Sequence, residues 1–128
     1  MTKRNKIIYW VATLWLALGM TSTGIVQLIK MKEEADMITK LGYPLYFLTI
    51  LGTWKLLGVV AILVPKFPIL KEWTYAGFFF AMSGALLSHA AVGDTEGLAY
   101  FGPSLLIVLT VVSWYFRPES RKTGVANL

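Results

Sequence analysis

Long runs of apolar and small residues alternate with short polar breaks along this chain. The runs cover about residues 7–29, 45–64, 69–92 and 98–116. Each is close to the roughly 20 residues a helix needs to cross a hydrocarbon core. The pattern therefore predicts an all-α membrane protein: one domain over residues 1–128, built as a bundle of four transmembrane helices. The first run is too long for the apolar part of a signal peptide and is followed by no small-residue cleavage pattern, so it reads as a retained helix. Pro103 marks a potential break in the fourth.

The breaks differ in kind. "KMKEEADMITKLGYP" (residues 30–44) mixes both charges with apolar positions and predicts a short amphipathic segment lying at the membrane interface between the first and second helices. "PKFP" (residues 65–68) is a tight turn, and "GDTEG" (residues 93–97) an acidic loop. After residue 116 the sequence is polar.

Composition agrees with the pattern. Of 128 residues, 56% are hydrophobic, and the mean hydropathy is +0.62. A soluble domain of this size carries one apolar stripe per helix rather than whole apolar helices. The net charge of +5 changes the picture only by its distribution. The basic residues flank the apolar runs instead of forming a patch among exposed aromatics, which argues against nucleic acid as a partner. With both termini inside, one side holds Lys3, Arg4, Lys6, Lys66, Lys71, Arg117, Arg121 and Lys122, and the other only Lys30, Lys32 and Lys40. That asymmetry predicts an N-in, C-in orientation. There is no cysteine, which excludes a disulfide, a thiolate nucleophile and a thiolate metal site.

Small residues predict close packing between helices. Ala12, Leu16, Gly19 and Thr23 share a face of the first helix; Gly77, Gly84 and Ser88 share one on the third, with Ala76, Ser83 and Ala90 on another. In the second helix Gly52 and Gly58 flank Lys55 by about 60° on either side. Lys55 therefore faces the bundle, not the lipid.

A lysine near mid-bilayer costs roughly 2.5–3.5 kcal/mol on insertion scales and is paired or functional by default. Its side chain leans toward the N-terminus of its own helix, which brings it to the level of Thr21, Ser22 and Thr23, of Ser83, and of Ser104 beside Pro103. These hydroxyls, and a carbonyl released by the proline, predict a polar ligand pocket opening outward. The plainer reading is a hydrogen-bonded Lys55 that only sets helix register. Glu72 opens the third helix, where a carboxylate suits the helix dipole and meets Lys71, Lys66 or a basic tail residue. His89 and Asp94 stand near the outer end, placed for a hydrogen bond at the mouth. Glu72, His89 and Asp94 thus form a candidate polar network apart from the pocket. No second histidine supports haem, and no carboxylate cluster or glycine-rich loop supports a metal or nucleotide.

Residues 41–94 also resemble a known family. "LGYP", then "WKLLG", a proline turn followed by "LKEW" and "YAG", and finally "SH" before "GD" occur in this order. As a set they resemble the DoxX-like family of small four-helix membrane proteins. The resemblance implies the bacterial inner (cytoplasmic) membrane as location. It also implies a link to sulfur or quinone oxidoreductase complexes and to oxidative-stress responses, while distant relatives act as cargo receptors or assembly chaperones. Without cysteine this chain runs no thiol relay of its own.

Two functions of different class remain open. One is a non-catalytic subunit or binding protein that takes a lipophilic molecule such as a quinone at Lys55. The other is a protein that holds other membrane proteins, or further copies of itself, through its helices. No nucleophile–base pair or metal constellation indicates an independent enzyme.

Overall fold

The computed structural model describes residues 2–93 and 97–118, with the side chains of residues 98 and 99 left aside. The described residues form helices α1 (Lys3–Leu28), α2 (Lys32–Lys40), α3 (Tyr46–Leu63), α4 (Pro68–Ala91) and α5 (Gly97–Tyr115). Two of them, α1 and α3, are long and apolar enough to cross a membrane.

The helix ends follow from local chemistry. Thr2 caps α1 by accepting from the Asn5 N–H at 3.2 Å. At the far end Lys30 takes a left-handed conformation (φ 52°), and the N–H groups of Lys30 and Met31 return to the carbonyls of Gln27 and Val26. This is a Schellman closure without the usual glycine. The "LGYP" stretch closes α2 in the same way with a glycine in place: Gly42 has φ 91°, and the N–H groups of Gly42 and Tyr43 reach Thr39 and Ile38. Pro65 ends α3 by forcing Val64 into an extended conformation (φ −66°, ψ 146°). Pro68 then opens α4 at its first turn, where its missing N–H does no harm.

Packing is uneven around the bundle. Helix α1 is central, lying against α3 on one side and α5 on the other, and α4 packs on α5. The fourth side, between α3 and α4, is the sparse one. Leu16, Met20, Val59, Ile62, Phe78, Met82, Leu106 and Leu109 fill the core. The tightest backbone approach joins α1 and α3, where a Cβ on Gly52 would lie 2.7 Å from the Gly24 carbonyl oxygen.

Two expectations need correction. The small residues of α4 do not bring a second backbone close: a Cβ added at Gly77 or Gly84 would meet nothing within 4 Å. They border the gap between α3 and α4 instead. Pro103 does not break its helix, and α5 runs through it as one element. The proline lies in the second turn, where only one early carbonyl is left without its helical donor.

The surface inverts the soluble pattern. Val11, Leu18, Trp54, Leu57, Val60, Phe80, Leu87, Phe101 and Val108 are exposed, while Thr13, Gln27, Lys55, Lys71, His89, Thr110 and Ser113 are buried.

Candidate functional site

Lys55 sits in the middle of α3, and its stem is held by the α1–α3 contact. A Cβ on Gly24 would lie 3.3 Å from the Lys55 Cβ, so the side chain has only α1 to climb. It ends on Thr23, donating to the hydroxyl oxygen at 3.2 Å. That hydroxyl in turn donates to the Gly19 carbonyl at 3.0 Å. An ammonium has three donors, and among the described residues this is the one hydrogen bond Lys55 makes.

Of the six predicted pocket residues the structure brings together Lys55 and Thr23. Thr21 is half-buried and Ser22 exposed; at about 100° per residue they turn away from the face Thr23 occupies. Ser83 donates to the Phe79 carbonyl of its own helix at 2.6 Å. Ser104 is exposed on α5, a helix that packs on α1 and α4. Hydroxyls at matching depth do not meet when their helices are not neighbours.

What surrounds Lys55 is a pair of cavities. A lateral cleft of about 670 Å³ runs between α3 and α4, lined by Trp54, Gly58, Trp73, Gly77 and Phe78 along with Lys55. A chamber of about 250 Å³ lies beneath α2 and also includes Lys55, with Gln27, Ser88 and His89 in its wall. The opening of the cleft is sideways, where an outward-facing pocket was expected.

The remaining candidates lie apart. Glu72 accepts from the Trp114 indole N–H at 3.0 Å and pairs with the Arg117 guanidinium at 2.9 Å. Arg117 also lies over the Trp114 ring, 4.7 Å from its centroid. This cluster ties the start of α4 to the end of α5. His89 is buried in the last turn of α4 with its ring 5.8 Å from that of Tyr100. Glu72 and His89 therefore stand at opposite ends of one helix, about 25 Å apart at 1.5 Å per residue. Asp94 lies outside the described residues.

Several polar residues in the interior escaped the sequence reading. Lys71 is fully buried and donates to the carbonyls of Ala61 and Val64, capping α3. Gln27 is buried on α1, four residues after Thr23 and so on the same face. That spacing was the available signal. Thr13 and Ser113 share a 2.5 Å hydrogen bond, and the Tyr75 hydroxyl joins Ser113 at 2.8 Å. Each of these residues looked ordinary in an apolar helix. Among the described residues no group of three or more His, Asp or Glu side chains is placed to hold a metal ion.

The sequence profile of the DoxX-like family matches residues 11–113, most of the chain, from within α1 to within α5. The chain belongs to the DoxX-like family. This DoxX-like protein is accordingly membrane-associated, in keeping with its exposed apolar surface. No curated protein and no solved structure matches it.

Proposed function

We propose that this DoxX-like protein is a multi-pass protein of the bacterial inner membrane that binds a lipophilic small molecule between α3 and α4. In this reading the whole chain is one transmembrane domain. Helices α1, α3, α4 and α5 cross the bilayer with both termini in the cytoplasm, and α2 lies at the outer interface. The ligand's tail occupies the cleft and its polar head meets Lys55; a quinone has the required shape and acceptor. The protein acts as a binding subunit and not as an enzyme on its own, in the service of redox and oxidative-stress systems.

One observation carries the reading. Lys55 is in the wall of both cavities, and its ammonium has donors to spare after its bond to Thr23. A buried charge that is half-satisfied is expensive, and an acceptor brought in from the lipid would complete it. The test is native mass spectrometry of gently extracted protein beside Lys55→Met. A lipophile retained by the wild type and lost from the variant supports the proposal; equal retention overturns it.

The uncovered backbone at Gly77 favours a second reading, in which a helix of another membrane protein or of a second copy lies in the cleft. In that case the cleft residues, and not Lys55, govern what co-purifies.

A further inference from the structure

The chamber beneath α2 differs in chemistry from the cleft it adjoins. The two share Leu51, Lys55 and Ala81 in their walls. The cleft is lined almost wholly by apolar and aromatic groups. The wall of the chamber includes Lys55, a donor, and Gln27, together with His89 and the hydrogen-bonded pair Tyr43 and Ser88. Gln27 is 5% exposed, and its side-chain oxygen has no hydrogen-bond partner. A buried amide oxygen left unpaired is a standing cost, relieved by any ligand that brings it a hydrogen.

Building on the lipophile-binding reading, we infer that the chamber takes the head of the bound amphiphile, and that this head carries an O–H or N–H donor as well as an acceptor. The acceptor meets the Lys55 ammonium and the donor meets the Gln27 oxygen. A phenol-type hydroxyl, as in the reduced form of a quinone, does both with one atom, whereas an oxidised quinone supplies only the acceptor. Size agrees, since a cavity of about 150 Å³ holds a benzene ring and this chamber measures about 250 Å³.

The test titrates three probes with one tail, 4-nonylphenol, its methyl ether 4-nonylanisole and 4-nonylbenzoate, against the full chain in detergent, read by native mass spectrometry. The expected result is that the phenol binds about tenfold more tightly than the ether, the consequence of one good buried hydrogen bond, and more tightly than the benzoate. Gln27→Met should bring phenol and ether within about twofold of each other, while Lys55→Met weakens both. Equal binding of phenol and ether to the wild type overturns the inference, as does a preference that survives in Gln27→Met or a benzoate that binds best. If Gln27→Met does not fold, the wild-type ratio alone decides. Equal affinities that still depend on Lys55 sink the inference and leave the binding function standing. Probes held as well by Lys55→Met as by the wild type sink both.

Discussion

The Lys71 ammonium donates to the Ala61 carbonyl oxygen at 2.9 Å and also to the Val64 carbonyl, so the first turn of α4 caps the last turn of α3. The two interior lysines are therefore different residues in kind. Lys71 completes backbone groups that α3 leaves open at its C-terminus. Lys55 reaches a single hydroxyl and keeps donors over.

That contrast gives the first prediction. Lys71→Met should destabilise the protein by about 3 kcal/mol, because charge-assisted hydrogen bonds are worth roughly 1.5–3 kcal/mol each and two carbonyls are left buried. Lys55→Met should leave stability unchanged or raise it, since it removes a buried amine at similar length. Melting followed by tryptophan fluorescence in detergent compares the two; a Lys71→Met protein as stable as the wild type refutes the capping role.

Glycines divide by what lies opposite them. Gly52→Ala should cost about 1–3 kcal/mol, because the new methyl would meet the Gly24 carbonyl oxygen at 2.7 Å, backbone against backbone. Gly77→Ala has nothing within 4 Å to strike and should be neutral or stabilising, with a gain of up to about 1 kcal/mol from helix propensity. The same melting experiment reads both. Loss of stability in Gly77→Ala would mean that α3 and α4 close over the cleft.

The Glu72–Arg117 pair is partly exposed, at 28% and 12%, so its worth is modest. A double-mutant cycle with Glu72→Gln and Arg117→Gln should return a coupling of about 1 kcal/mol, at the top of the range for solvent-accessible pairs because Trp114 engages both partners. A coupling indistinguishable from zero would make the cluster incidental.

Orientation is tested by reporter fusions. Fusions at the C-terminus and in the Pro65–Pro68 turn should report the cytoplasm, since the flanking basic residues gather on that side. A C-terminus reported outside overturns the orientation.

Much of the helical layout was legible in the sequence, because a run of apolar residues long enough to cross a membrane has few other folds open to it. The amphipathic break at residues 30–44 became α2 for the same reason of pattern. The interior position of Lys55 followed from Gly52 and Gly58 on its flanks. The rest depended on which helices are neighbours, and periodicity along one helix does not say that. Ser83 and Ser104 lie at a suitable depth and face elsewhere, whereas α2, expected only to lie at the surface, supplies Met37 and Ile38 to the chamber wall that Lys55 shares. Lys71 looked like one more flanking charge, and its role appears only once the turn at residues 65–68 folds α4 back toward the α3 carbonyls.

The hydrogen bond between Thr13 and Ser113 joins residues separated by one hundred positions, in the first helix and the last. During synthesis α1 emerges long before α5 exists, and until then the Thr13 hydroxyl has no Ser113 to meet. In an apolar surrounding it can turn back only to its own backbone. The bundle is thus completed where the chain began, and a ribosome that stops before residue 113 leaves Thr13 without this partner. Truncated chains of this protein therefore lack the contact that fastens their first helix to their last.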